Sequence, residues 1–184
     1  DMKKKVYIFM AAGFETIEAL TPVDVLRRCG VEIITTSITE SRHVCSSHGI
    51  EITTDTTIFE NDCLDGDMII LPGGYPGYVN LCNSTQVGDI VKHYAANNKY
   101  IAAICGAPTV LNTYEIARGC HIACHSSVRD TMQQNYIVTD NNVECDGKII
   151  TANGAGNSLP FSLALAEAIC DQATVEDTKK KMEL

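Results

Sequence analysis

A chain of 184 residues fits one ordinary domain, and nothing in its composition calls for a second. Fourteen Lys and Arg against 23 Asp and Glu leave a net charge of −9, which argues against a nucleic-acid groove or an anionic membrane surface. Apolar residues at 45% and charged residues at 20% exclude a disordered chain and leave a small molecule or a protein as the expected partner.

No apolar run reaches the roughly 18 residues that a membrane helix needs. The lysines at positions 3, 4 and 5 lead into a strand-like stretch rather than a secretory leader, so the expectation is a cytoplasmic protein. Nine cysteines are an odd count, scattered without a C-x-x-C pair, unlike a disulfide framework or a zinc ribbon. They fit a reducing compartment, where the Asn83-Ser84-Thr85 sequon reads as chance.

In chain order, residues 6–10 predict a strand and Ala11-Ala12-Gly13 a turn, after which Ile17, Leu20, Val25 and Leu26 recur at helical spacing up to Cys29-Gly30. The β-branched residues 31–36 complete a βαβ unit with a right-handed crossover. Residues 44–54, turning at Ser47-His48-Gly49, read as a small hairpin. The continuous apolar run 68–71 stops at Pro72-Gly73-Gly74, as a parallel strand covered on both faces does. A helix over 87–96 and a buried strand over 100–104 follow, the strand ending at Cys105-Gly106-Ala107-Pro108, and residues 109–117 predict another helix. Residues 120–125 read as strand. Asp146-Gly147 predicts a hairpin between 143–145 and 148–151, and residues 159–169 form the last long amphipathic helix, with a short surface helix over 176–182.

This alternation specifies the α/β class: a single-domain, doubly wound, flavodoxin-like sandwich over residues 1–184 with a mostly parallel sheet. Chemistry in such sheets lies outside the carboxyl ends of the strands, so the loops after Met10, Leu71 and Ile104 should converge on one crevice.

Cys105 carries the sharpest signal. A thiol in a tight strand-to-helix turn projects from the sheet edge in nucleophile-elbow fashion, and the nearby helix N-terminus favours its thiolate. Glu15 and Glu18, three apart at the start of the first helix, share a face toward the end of the first strand. Pro22 lacks the N–H that would bond the Glu18 carbonyl, so the helix should loosen there, which favours Glu18 as the acid that meets the sulfur, while Glu15 suits the helix N-terminus. A carboxyl kept neutral by burial would donate a hydrogen bond to the thiolate, and the two would titrate together.

Cys120 and Cys124 lie on one strand face but about 13 Å apart at about 3.3 Å per residue, too far to share one zinc, so no metal is implied. His125, at the end of that segment, is left as an acid-base residue or a structural histidine. The glycine loops at 72–77 and 153–157 match neither a P-loop nor G-x-G-x-x-G, and no cofactor is implied. The first of them is instead placed to aim backbone N–H groups at an oxyanion beside Cys105.

Taken together, Gly13-Phe14-Glu15-Thr16-Ile17-Glu18, the stretch from Pro22-Val23-Asp24 through Arg28-Cys29-Gly30, Leu71-Pro72-Gly73-Gly74, Ala102-Ala103-Ile104-Cys105-Gly106-Ala107-Pro108-Thr109 and the segment ending at His125 resemble the ThiJ/PfpI superfamily. The resemblance is closest to its Parkinson's-associated DJ-type branch and covers nearly the whole chain. It implies that Cys105 is a readily oxidised nucleophile with Glu18 as its hydrogen-bonding carboxyl and His125 as a pocket histidine. It further implies that Asp24 approaches that histidine from the other subunit of a homodimer, that Gly74 and Gly106 supply oxyanion donors, and that Arg28 is a pocket-side arginine. Two positions depart from the pattern: Gly106 stands where protease-like members carry histidine, and His48 where the nearest branch has an arginine.

The expected activity is a cysteine-dependent, glutathione-independent conversion of α-oxoaldehydes, of glyoxalase or deglycase type, on a small reactive carbonyl substrate. The alternative is a non-enzymatic redox sensor or chaperone acting through oxidation of Cys105. Peptidase and amidotransferase readings rank lowest, since an amidotransferase needs a late His-x-Glu pair and no histidine follows His125.

Overall fold

The computed structural model describes residues 3–184. Strand β1 (Lys5–Met10), helix α1 (Thr16–Arg28) and β2 (Glu32–Ser37) form the expected βαβ unit, β2 pairing parallel to β1. A hairpin of β3 (His43–Cys45) and β4 (Glu51–Thr53) stands apart from the sheet, followed by the two-residue β5 (Thr56–Thr57) on its edge. Then come β6 (Met68–Leu71), α2 (Gly77–Asn83), α3 (Thr85–Ala96), β7 (Tyr100–Ile104) and α4 (Thr109–Thr113). The chain continues through β8 (His121–Ile122), a 3-10 turn at Ser126–Val128, α5 (Arg129–Met132), β9 (Ile137–Val138), the hairpin β10 (Val143–Asp146) and β11 (Ile149–Ala152), and the helices α6 (Ser158–Ile169) and α7 (Gln172–Lys181).

The main sheet has seven strands in the order β10-β11-β7-β6-β1-β2-β5, all neighbours parallel except the β10-β11 hairpin. Because side chains alternate along a strand, each central strand feeds two cores. Tyr7, Phe9, Ile69, Leu71, Ile101 and Ala103 pack under α2 to α5, whereas Val6, Ile8, Met10, Met68, Ile70 and Ala102 pack under α1, α6 and α7. The doubly wound α/β sandwich is thus the fold that is observed.

Several boundaries differ from the sequence expectation, each for a local reason. The helix predicted over 109–117 stops at Thr113, because Glu115 (φ 58°) and Ala117 (φ 51°) adopt left-handed backbone, which ends an α-helix. The strand predicted over 120–125 is only His121–Ile122, since the chain then turns so that the His125 N–H donates to the Cys105 carbonyl at 2.9 Å. Helix α7 begins before residue 176, where Asp171 caps it by accepting from the Thr174 N–H at 2.8 Å. Helix α2 was not expected; of its residues only Gly77 and Leu81 are buried, too few to print a helical period. Helix α1 runs unbroken through Pro22, so the loosening expected at Glu18 does not interrupt it.

Ile70 is fully buried on the β6 face that carries α1 and α6. Ile70→Ala is expected to lower stability by roughly 2–5 kcal/mol, read as a shift in the urea midpoint at unchanged slope.

Candidate active site

Strands β1, β6 and β7 are adjacent and parallel, so their carboxyl ends open at one edge of the sheet. The loops after β1 and β6 are tied to each other there, and the loop after β7 is tied to β11. The Glu15 N–H donates to the Gly73 carbonyl at 2.8 Å and the Gly77 N–H to the Gly13 carbonyl at 3.3 Å, while the Cys105 N–H donates to Ala152 of β11 at 2.9 Å.

Cys105 has φ 66°, the left-handed region that a residue with a Cβ enters only when its surroundings compel it. This is the elbow: the backbone reverses at the cysteine, and its side chain is thrown toward the loops after β1 and β6. Gly106 follows because the Tyr78 ring fills the space a side chain would need, a Cβ there lying 2.5 Å from the ring. At Gly73 a Cβ would sit 2.6 Å from Cys105 Cβ and 2.6 Å from Glu18 Oε1, so thiol and carboxyl flank the same bare Cα.

Glu18 lies in the first turn of α1 and is 1% exposed. Its Oε1 has no hydrogen-bond partner of regular geometry. Burial pushes the carboxyl up to about 7, and the negative charge of Glu15 adds to the rise, while the Cys105 thiol and the Gly73 N–H draw it back. Burial likewise pushes the Cys105 thiol up to about 12, with the Glu18 charge second, against the N–H groups of Gly106 and Gly74. Each group shifts the other, so thiol and carboxyl titrate as one coupled pair, as expected from sequence. Burial and mutual repulsion leave room in the pocket for one negative charge shared between them.

Gly74 and Gly106 are thus brought to the sulfur as N–H donors. Glu15 is the N-cap of α1, its Oε2 accepting from the Thr16 N–H at 3.1 Å. The same Oε2 lies 3.2 Å from His48 Nδ1, on the exposed turn of the β3-β4 hairpin, which places His48 at the rim of the site. The ring of His125 is exposed, and its Nδ1 accepts from the Ser127 N–H at 3.1 Å and lies 2.8 Å from Ser127 Oγ. A neutral ring so held carries its proton on Nε2. His125 borders a cleft of about 320 Å³ shared with Ser126, Arg129, Asn141 and Asn153.

Asp24 and Arg28 stand apart from this cluster. They pair with each other at 2.5 Å on the exposed flank of α1 and line a groove of about 520 Å³ with Leu20, Val23 and Arg27. Within one chain Arg28 is therefore a surface residue held by Asp24 rather than a group on the sulfur, because the helix turns that flank away from the strand ends. Among the described residues no three His, Cys, Asp or Glu side chains converge as a metal site.

Sequence reasoning named Gly73 only as part of its loop, not as the bare Cα between thiol and carboxyl, and missed Tyr78 and Ser127. The Gly73-Gly74 doublet at a strand end was the available signal for the first; nothing local marks the other two, whose roles depend on long-range approach.

The raised carboxyl sets a stability test. A folded pKa near 7 against an ordinary value of 4.5 favours the native state below the lower figure, and that advantage is lost as pH rises through the upper one. Glu18→Gln should remove this dependence, gaining on the native chain by up to roughly 3 kcal/mol between pH 4.5 and pH 8 in paired urea titrations.

Compared with known proteins, the chain matches the DJ-1/PfpI family over residues 4–168. It is similar to protein dj-1beta of Drosophila melanogaster, 32% identical over 180 residues that cover 97% of this chain and 96% of that protein. The crystal structure of Drosophila melanogaster DJ-1beta matches with TM-score 0.97 at 30% identity, covering 100% of this chain and 99% of the other. Toxoplasma gondii DJ-1, solved in an oxidized form, matches with TM-score 0.90 at 27% identity over 97% of each chain. Among the described residues no helix is long and apolar enough to cross a membrane.

Proposed function

Since this chain belongs to the DJ-1/PfpI family, we propose that its pocket converts α-oxoaldehydes such as methylglyoxal and glyoxal to hydroxy acids without glutathione, with Cys105 as nucleophile. One observation carries this reading: a buried carboxyl, short of hydrogen bonds and titrating near neutrality, beside a thiol on a strained elbow.

Glu18 carboxylate takes the thiol proton as the Cys105 sulfur adds to the aldehyde carbon, giving a hemithioacetal. This keeps one negative charge in the pocket throughout, which moves from the carboxylate to the new oxygen. The N–H groups of Gly74 and Gly106 receive that oxygen. Glu18 hands its proton to that oxygen and, as carboxylate again, carries a proton from the former aldehyde carbon to its neighbour, while His125 helps move the hydroxyl proton between the two oxygens through Nε2–H, leaving a thioester of the hydroxy acid. Water cleaves the thioester, restoring the thiol. No metal or organic cofactor enters the scheme, and Gly106 in place of histidine disfavours peptidase chemistry. In this reading the Asp24-Arg28 flank belongs to a homodimer interface, where Asp24 of one subunit approaches His125 of the other.

Following lactate from methylglyoxal tests the scheme. Cys105→Ser should abolish conversion, and conversion that survives would remove the sulfur from the mechanism. The rate should climb with pH and level off above about 7 as Glu18 ionises. Glu18→Gln should lose that limb together with about 10²–10⁴-fold of the rate.

The second reading is a redox sensor or chaperone acting through Cys105 sulfinate. It is favoured by the Gly74 and Gly106 donors, which suit a sulfinate oxygen as well as an alkoxide, and by the oxidized form of the Toxoplasma gondii relative. Peroxide treatment followed by intact mass separates the two. Addition of two oxygens at Cys105 with negligible lactate formation would favour the sensor, and rapid turnover by the untreated chain would favour the enzyme.

A further inference from the structure

Two cysteines far from the pocket stand at the ends of neighbouring helices. Cys29 caps the C-terminus of α1 and Cys170 that of α6, and these helices pack together on one face of the sheet. Both cysteines line one cleft of about 410 Å³ with Lys4, Val31, Ile169 and Thr174, and Cys29 is the neighbouring group that, after burial, most raises the Cys170 thiol. Cys29 is 9% exposed, and its thiol donates to Thr178 Oγ1 of α7 at 3.4 Å. Cys170 is the more open of the two.

We propose that Cys29 and Cys170 are a second oxidation site, forming a reversible disulfide with a hydroperoxide as oxidant. The Cys170 sulfur attacks the peroxide, breaking the O–O bond to give a sulfenic acid and, with hydrogen peroxide, one water. The Cys29 sulfur then attacks the sulfenic sulfur, forming the S–S bond and expelling a second water. Two thiols and one hydrogen peroxide thus become one disulfide and two waters, the sulfurs losing two electrons in all. Burial, with Cys29 next, raises the Cys170 thiol to about 11 while Lys4 draws it down, so the bond forms slowly and needs excess peroxide.

The bond ties the last turn of α1 to the last turn of α6 and takes from Thr178 the thiol that donates to it. It lies about 16 Å along α1 from Glu18, so the Cys105 pocket keeps its chemistry. The proposal is independent of the carbonyl reaction, because it is read at other residues.

The chain is treated with excess hydrogen peroxide, quenched by alkylation and digested with trypsin without reduction. Peptides 29–42 and 149–179 each hold one cysteine, so their cross-link is unambiguous. The expected result is that cross-link, about 2 Da below the summed peptide masses for two lost hydrogens. It should be reversed by dithiothreitol, raise the thermal midpoint by about 5–10 °C, and form equally in Cys105→Ser. Cys29→Ser and Cys170→Ser should each lose the cross-link and keep native carbonyl turnover. Recovery of both peptides as free thiols once Cys105 is fully oxidised would overturn the proposal. So would Cys170 reaching sulfinate while Cys29 stays reduced.

Discussion

One buried pocket that tolerates a single negative charge governs the site. Glu18 and Cys105 face each other across Gly73, and burial penalises ionisation of either. The surrounding geometry exists to enforce that approach. It requires three parallel strands ending at the same edge, a residue without a side chain at position 73, and a cysteine held in left-handed backbone at position 105. A charge so confined moves readily onto a bound electrophile, because the alternative places for it are poor.

Helix α1 ties the two ends of the molecule together. Its first turn delivers Glu18 to the strand ends, its buried flank of Ala19, Val23 and Leu26 packs on the sheet, and its C-terminus presents Cys29 to α6 and α7. The opposite flank carries the Asp24-Arg28 pair, which is free to meet another surface. The carboxyl is therefore positioned by the same packing that builds one of the two cores, so site geometry and fold stability share residues. The β3-β4 hairpin adds a rim rather than a wall, through the approach of His48 to Glu15.

Much of this was legible along the chain. Runs such as 68–71 and 100–104 announce covered parallel strands because both faces must be apolar, and small residues after each mark the edge where chemistry sits. Glu18 stood out against Glu15 through its place on the helix, and the structure puts Glu15 on the α1 cap, as its position predicted. The burial around the sulfur was not legible: a thiol before a helix suggests thiolate, but the packing that half-buries it comes from loops remote in the chain. The orientation of His125 was equally hidden, because Ser127, two residues on, holds the ring by a turn that strand periodicity does not register.

The sequence by itself determined the alternation of strands and helices, the family resemblance and the few residues able to do chemistry, because periodicity and local turn chemistry are written in neighbouring positions. Only the tertiary structure decided that Glu18 is buried beside Cys105 with its Oε1 short of a regular hydrogen bond, that Asp24 and Arg28 turn away together, and that Cys29 and Cys170 share one cleft. Those facts are approaches between residues remote in the chain, and burial, which sets their protonation, is a property of everything packed around them.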